Sequence, residues 1–228
     1  MTELTAVLDT KLTKKLPILV PQSALHQDVQ QYIVELEKSV YAGDIEVSYS
    51  SRLAVATDNS IYQQLPQAVL HPKLTQVLSI ITTVANAWPE VTFSARGGGT
   101  GTNGQSLTPG IVVDTSRYMN KILAHNIEEG WVKVQSGVIK DALNDFLRPY
   151  GYFFSPDLST SNRATVGGMI STDASGQGSL VYGKTSDHVL ELTSVLANGD
   201  GIDTKPMQME DAKLRAQKND SLGITHVH

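Results

Sequence analysis

The stretch that decides the fold is Ala95-Arg96-Gly97-Gly98-Gly99-Thr100-Gly101-Thr102-Asn103-Gly104, and the apolar run Ile111-Val112-Val113-Asp114 follows it. Of the chain's 18 glycines, six lie between residues 94 and 110 and five more between residues 165 and 183. Glycine permits positive φ and close backbone approach, so several successive amides can point at one anion. The sequence therefore predicts an anion site in which the main chain supplies most of the hydrogen bonds.

Composition excludes several classes of function. The 228 residues are 40% apolar and 18% charged, which is typical of a folded globular protein. Cysteine is absent, so disulfides, thiolate nucleophiles and cysteine-ligated metals are excluded within this chain, and we expect a cytoplasmic location. The net charge of −5 without a basic stripe argues against a nucleic-acid partner. We expect no membrane span, because no apolar run reaches about 18 residues, and no metal, because the histidines lack ligand spacing.

The spacing of apolar residues predicts helices and strands in alternation. Apolar residues recur every three or four positions over residues 23–40, 73–87 and 138–147, which predicts three helices, and residues 207–218 favour a polar helix. Short apolar or alternating runs predict the strands. These strands are residues 45–49, 67–70, 91–95, 111–114, 121–124, 131–135, 152–154 and 189–197.

The mixture of elements predicts an α+β fold with mixed sheets and flanking helices, arranged as two lobes. Residues 1–44 form an N-terminal helical extension in this interpretation, and residues 45–118 form the first lobe. Residues 119–205 form the second lobe, and residues 206–228 a helical or disordered tail.

Residues Gly99–Gly104 match G-x-G-x-x-G, the fingerprint of dinucleotide-binding crossovers. That fingerprint requires a helix that begins within the loop and points its N-terminus at the pyrophosphate. Pro109-Gly110 and a predicted strand follow instead. A Rossmann crossover is therefore disfavoured.

Residues Gly178–Thr185 match the Walker A pattern G-x-x-x-x-G-K-[ST]. A P-loop needs an apolar strand before it and a helix after it. Polar residues 173–177 precede this match, and residues 189–197 after it are a predicted strand. A P-loop nucleotide hydrolase is therefore the alternative, and not the first choice.

A third interpretation makes the two glycine stretches the walls of one site, each of which offers amides to a diphosphate. Only Arg96 and Asp173 carry formal charges in these stretches. Two roles for Arg96 stay open, a contact to the diphosphate or a pair with an acidic neighbour.

Four ordered segments resemble a known family. Residues 95–104 with 109–114 resemble the first pyrophosphate loop and following strand of the vanillyl-alcohol-oxidase (PCMH-type) FAD-binding domain. The resemblance runs from about residue 45 to 205 and is strongest to the N-terminal part of large bacterial FAD-linked D-2-hydroxyglutarate dehydrogenases. The later matching segments are residues 156–162, 165–176, 182–183 and 195–200.

The resemblance implies FAD between the lobes, its diphosphate on residues 96–104 and its ribityl and isoalloxazine parts along residues 165–174. It also implies hydride transfer from the α-carbon of a D-2-hydroxy acid to flavin N5. Thr100 stands where some relatives carry a flavin-linked histidine, so we expect non-covalent FAD. The cofactor residues implied are Arg96, Gly97, Gly98, Gly99, Thr100, Gly101, Thr102, Asn103, Pro156, Asp157, Leu158, Ser161, Thr165, Gly167, Gly168, Ser171, Asp173 and Ala174.

Two departures from the family shape the expectation. The family continues with a further glycine-containing stretch, a strand and a cap domain that binds the substrate, and residues 218–228 match none of these. We therefore expect a fragment with an incomplete second lobe, whose small-molecule substrate binds through a missing domain. Asp173 stands where relatives often have asparagine, which would put a carboxylate near the flavin. A non-catalytic flavin-binding module is a further alternative, and the oligomeric state is not predicted.

Overall fold

The computed structural model describes residues 24–218 and residue 220. The helices are α1 (Gln27–Lys38), α2 (Tyr49–Ala54), α3 (Gln76–Ala85), α4 (Lys140–Leu147), α5 (Val166–Ser171), α6 (Ser179–Tyr182) and α7 (Met209–Ala216), with 3-10 turns at Arg148–Tyr150 and Thr185–His188. The strands are β1 (Gly43–Glu46), β2 (Ala68–Pro72), β3 (Phe93–Arg96), β4 (Ile111–Asp114), β5 (Ile122–Asn126), β6 (Trp131–Val134), β7 (Leu192–Val195) and β8 (Gly201–Thr204).

The first lobe is built on a four-stranded mixed sheet in the order β1-β2-β4-β3. Strands β2, β4 and β3 are parallel, and β1 runs antiparallel at one edge. Every residue of the two central strands is buried, which explains their nearly continuous apolar sequences. Because carboxyl ends of parallel strands meet at one edge, the sheet brings His71, Arg96 and Asp114 to the same side of the lobe.

Helices α1 and α3 cover this sheet. Tyr32, Leu36 and Ile81 are almost fully buried in the cluster that joins them to the strands. The Tyr32 hydroxyl donates to the carbonyl of Ile81, which satisfies the one polar group of that side chain. Helix α1, predicted within an N-terminal extension, thus packs into the core of the first lobe, and residues 1–23 of the predicted extension lie outside the described residues.

The second lobe has a smaller core and two separate antiparallel hairpins, β5-β6 and β7-β8. Val138, Leu143, Leu147 and Val166 form its buried cluster under the first hairpin. The second hairpin reaches the first lobe, where the Asn86 side chain donates to the carbonyl of Asn198 at 3.3 Å.

The mixed α+β fold predicted from the sequence is confirmed, and the four predicted helices all form, each shorter than predicted. The strand predicted at residues 152–154 is wrong. Phe154 donates its amide to the side chain of Asn144 at 2.7 Å, so this segment is fastened to helix α4 instead of a sheet. The strand predicted at residues 45–49 ends at Glu46, because Ser48 caps helix α2.

Candidate functional site

The first glycine stretch forms a loop between β3 and β4 whose first six amides are unpaired. None of the amides of residues 97–102 donates a hydrogen bond within the described part of the chain. Gly99 and Gly104 adopt φ of 62° and 74°, a region that favours glycine. Six consecutive amides without an internal acceptor suit a ligand that carries several acceptors, and a diphosphate is such a ligand.

Arg96 supports this loop from within the lobe. Its guanidinium donates to the carbonyls of Val55 at 3.3 Å and Thr57 at 2.8 Å, and to Ser106 Oγ at 3.2 Å. Ser106 in turn donates to Asp58 at 3.3 Å, so Arg96 reaches an acidic neighbour through a hydroxyl group. Burial lowers the pKa of Arg96, although Asp114 and Asp58 oppose that shift. Through these hydrogen bonds, Arg96 connects the start of the loop to residues 55–58.

The two glycine stretches meet at Gly97 and Gly98. A Cβ on Gly97 would overlap Thr165 Oγ1, and a Cβ on Gly98 would overlap the carbonyl oxygen of Arg163. The Arg163 guanidinium also donates to the carbonyl of Gly98 at 3.2 Å. The first loop is therefore fastened directly to the start of the second stretch, at a distance that only glycine allows.

The second glycine stretch forms helix α5, which its sequence pattern did not lead us to predict. Thr165 caps the helix by accepting from the amide of Gly168 at 3.3 Å, and it was the one signal of a helix start. The amides of Val166 and Gly167 donate to the carbonyls of Val138 and Ser136, each at 2.8 Å. The amides at the start of the second stretch are therefore bonded within the protein, whereas those of residues 97–102 in the first stretch are not.

Residues 157–160 and the turn at 175–177 line a cavity of about 390 Å³. Asp157 and Leu158 belong to its wall, and Pro156 beside them is buried. Ser161 donates to Asp141 at 3.1 Å, and Ser171 donates to the carbonyl of Gly167 at 2.9 Å. The hydroxyl hydrogens of these two predicted site residues are thus already engaged within the protein.

Asp173, which follows helix α5, adopts a left-handed conformation with φ of 44°. Its carboxylate accepts from the amide of Ser186 at 3.0 Å and from Lys184 Nζ at 3.1 Å. The hydrogen bonds from Ser186 and Lys184 lower the pKa of this carboxyl below its ordinary value. Asp173 is therefore an ionised anchor for the segment that returns at residue 184.

Residues Gly178–Thr185 do not form a P-loop. Their variable positions form helix α6, and the element directly before them in the described chain is helix α5 and not a strand. Thr185 is fully buried and donates both its amide and its hydroxyl to the carbonyl of Ala174. Because Lys184 is bonded to Asp173, the two residues that a P-loop would offer to phosphate and magnesium close the base of a loop instead.

No group of three or more metal-ligating side chains occurs within residues 24–218 and 220. None of the helices in that part of the chain is both long and apolar enough to cross a bilayer.

Known proteins share both the sequence and the fold of the chain. D-2-hydroxyglutarate dehydrogenase of Escherichia coli (strain K12) is 55% identical over 199 residues, covering 86% of this chain and 20% of that relative. Glycolate oxidase subunit GlcD of Bacillus subtilis (strain 168) is 34% identical over 180 residues, covering 78% of this chain and 37% of that relative. The solved structure of alkyldihydroxyacetonephosphate synthase superposes with a TM-score of 0.71 at 18% identity, covering 87% of this chain and 37% of that one, which shows a shared fold.

The family described as FAD binding domain matches residues 66–205. This range contains the loop with unpaired amides, helix α5 and the segment from residue 155 to 162. The chain spans 20% of the length of the Escherichia coli relative. The chain belongs to the FAD-binding domain family of the PCMH type, and FAD is its cofactor.

Proposed function

We propose that the chain is the flavin-holding part of a dehydrogenase that oxidises a D-2-hydroxy acid of the 2-hydroxyglutarate type. The observation that carries this proposal is the run of six unpaired amides at residues 97–102, placed within the matched family range. The 55% identity to D-2-hydroxyglutarate dehydrogenase of Escherichia coli supports the substrate class. When bound, the flavin supplies the acceptor for the hydride of the substrate's α-carbon.

In this proposal, residues 97–103 hold the diphosphate of FAD through the main-chain amides of residues 97–102 and the hydroxyls of Thr100 and Thr102. Arg96 keeps the loop in place through the carbonyls and the hydroxyl that it binds. FAD is held without a covalent bond, because Thr100 replaces the flavin-linked histidine of some relatives. The second wall is formed by Pro156, Asp157, Leu158, Ser161, Thr165, Gly167, Gly168, Ser171, Asp173 and Ala174.

The role of the second wall is to give the site its shape. The amides of Val166 and Gly167 are bonded inside the protein, and Asp173 is held by Lys184 and Ser186. These residues therefore present a rigid surface to the cofactor and few free donors. The groups that bind the small-molecule substrate belong, in our proposal, to a further domain such as the longer relatives have room for, and the protein acts in the cytoplasm.

Titration of the purified chain with FAD tests the cofactor assignment. We expect saturable quenching of flavin fluorescence at one FAD per chain and no competition by Mg-ATP. Acid precipitation should leave the yellow colour in the supernatant, and a yellow pellet would show a covalent bond. A chain that binds Mg-ATP and does not bind FAD would contradict the cofactor assignment and favour a nucleotide hydrolase.

A hybrid enzyme tests the activity. This chain would replace the aligned region of the Escherichia coli relative, with which it shares 55% identity. We expect the hybrid to reduce an artificial electron acceptor with D-2-hydroxyglutarate and not with the L-isomer, and we expect negligible turnover by the chain alone. A folded, flavin-loaded hybrid that oxidises neither isomer would contradict the proposed substrate class.

A further inference from the structure

Helix α6 and the segment before residue 154 expose an apolar patch on the second lobe. The α6 patch consists of Tyr152, Phe153, Leu180, Val181 and Tyr182, each of them 47% exposed or more, and Leu180 is fully exposed. The rings of Phe153 and Tyr182 meet edge to face with their centroids 5.5 Å apart, so the two segments form one surface. Residues 152–156 and 175–183 carry no charge. Contiguous apolar surface of this kind is rare on soluble monomers and marks an interaction site.

Polar contacts hold the backbone beneath the α6 patch in place. The carbonyl oxygen of Tyr182 accepts from His188 Nε2 at 2.6 Å, and Ser155 Oγ lies 3.0 Å from the same nitrogen. Because a carbonyl oxygen can only accept, this nitrogen carries the ring proton, and Ser155 is its second acceptor. At the start of the loop, a Cβ on Gly176 would overlap the carbonyl oxygen of Asp157. The patch is therefore a fixed surface whose polar groups are bonded inside and whose apolar side chains face outward.

The α6 patch borders the second wall of the cofactor site. Asp173 and Ala174 end that wall, and Lys184 and Thr185, just beyond helix α6, bond to them at 3.1 Å and 2.6 Å. Residues 175–183 thus form a loop that leaves the wall and returns to it. Sites for small molecules are commonly found between two domains, so a domain that brings substrate to the flavin would meet this rim of the wall.

We propose that the α6 patch is the surface on which the substrate-binding domain of the longer enzyme packs, through an apolar and uncharged face of that domain. This inference rests on the proposed function, in which such a domain binds the 2-hydroxy acid. The aligned region is 20% of the Escherichia coli relative, so most of that relative's chain lies outside the match and is available to cover the patch. The patch offers no charge for a polar partner to pair with, and its fixed backbone needs little ordering on docking.

Hydroxyl-radical footprinting of the isolated chain and of the flavin-loaded hybrid enzyme tests this docking surface. Exposed Phe153, Leu180 and Tyr182 should oxidise readily in the isolated chain. In the hybrid we expect the same side chains to oxidise about fivefold more slowly, because the core of a packed interface excludes water. Leu74, which is 52% exposed on the first lobe, should oxidise at the same rate in both proteins.

A matched pair of variants separates the α6 patch from exposed apolar residues in general. Val181 is 78% exposed within the patch, and Val40 is 84% exposed beyond the end of helix α1. Val181→Asp in the hybrid should return Phe153 and Tyr182 to the oxidation rates of the isolated chain, because a charge cannot be buried there without a partner. Val40→Asp should leave the protection unchanged. In the isolated chain, neither variant should move the urea midpoint, since both side chains are exposed.

If the hybrid does not hold flavin, the same measurement uses the Escherichia coli relative with only the region aligned to residues 150–190 exchanged. Equal oxidation of the patch in the isolated chain and the hybrid would overturn the inference, as would protection that survives Val181→Asp. Protection already present in the isolated chain would also overturn it, and its dependence on protein concentration would show whether a second copy covers the patch.

The footprint does not require turnover, so it distinguishes this inference from the proposed function. A flavin-loaded hybrid that protects the patch and does not oxidise D-2-hydroxyglutarate contradicts the proposed function alone. An active hybrid that leaves the patch exposed contradicts the docking surface alone.

Discussion

The two glycine stretches have similar composition and opposite use of their backbone. In the first, residues 97–102 leave their amides unpaired. In the second, the amides of Val166 and Gly167 bond to the carbonyls of the neighbouring Val138 and Ser136, and a Cβ on Gly167 would collide with Ser136. Glycine therefore leaves amides free for a ligand in the first stretch, where Gly97 and Gly98 also allow close packing, and at Gly167 in the second stretch it allows close packing around bonded amides.

The largest loss of stability is expected at Gly98, which belongs to the loop with unpaired amides and also packs against Arg163. Gly98→Ala places a methyl group against the carbonyl oxygen of Arg163, which is backbone and cannot turn away. We expect the free energy of unfolding in urea to fall by about 3 kcal/mol, with loss of FAD binding. The control Gly201→Ala has open space around it and should stay within about 0.5 kcal/mol of the parent. A Gly98→Ala protein of unchanged stability would show that the contact of Gly97 and Gly98 with Thr165 and Arg163, the seam between the two stretches, can adjust to an added methyl group.

Gly101→Ala separates ligand approach from packing. Its methyl group would meet only the flexible end of the Gln105 side chain, so stability should be unchanged. We expect the dissociation constant for FAD to rise about tenfold, the loss expected when one hydrogen bond to a charged phosphate is weakened. The measurement is fluorescence titration with FAD, again with Gly201→Ala as control. Unchanged affinity would remove residue 101 from the diphosphate site.

The packing role of the second stretch is tested at Thr185. Thr185→Val keeps the shape of the side chain and removes the buried hydroxyl that donates to Ala174 at 2.6 Å. We expect about 1 kcal/mol of destabilisation and faster proteolysis within residues 175–184. Thr193→Val removes an exposed hydroxyl that bonds to Asp203 and serves as the control. Equal destabilisation by both variants would contradict a structural role for the hydrogen bond that joins Thr185 to Ala174.

The smallest effect is expected at Asp173, which lies at the surface. Its lowered folded pKa stabilises the protein above the unfolded pKa, and this contribution disappears as the pH falls through the folded pKa. Asp173→Asn tolerates the positive φ and should lower Tm slightly at neutral pH and not at acid pH. Asp145→Asn, at another exposed ion pair with Arg148, is the control. A difference in Tm that persists at acid pH would show that backbone strain at residue 173, and not the charge of the carboxylate, causes the change.

Local sequence predicted the parts of the fold that depend on regular apolar spacing. The four-stranded core and the longer helices follow from such spacing, as do the first loop and its following strand. Helices α2 and α5 have six residues each and are defined by single caps at Ser48 and Thr165, which is too short for a periodic pattern. The three residues 152–154 alternate like a strand, but their hydrogen bonds go to Asn144.

The interactions of the site were less predictable because they join distant parts of the chain. Arg96 binds carbonyls 41 and 39 residues earlier, at Val55 and Thr57, and no local pattern indicates them. The approach of His71, Arg96 and Asp114 to one side of the first lobe depends on the order of strands in the sheet, which is known only once the sheet is formed. Sequence spacing identified the loop that offers amides, and the packing around it needed the structure.

The seam at Gly97 and Gly98 has a consequence for how such domains evolve. A descendant that no longer bound flavin would still need glycine at both positions, because its lobes would still meet there. Gly101, which faces only the Gln105 side chain, would be free to drift. In such lineages the first two glycines record an inherited architecture, and the later glycine records whether the flavin is still in use.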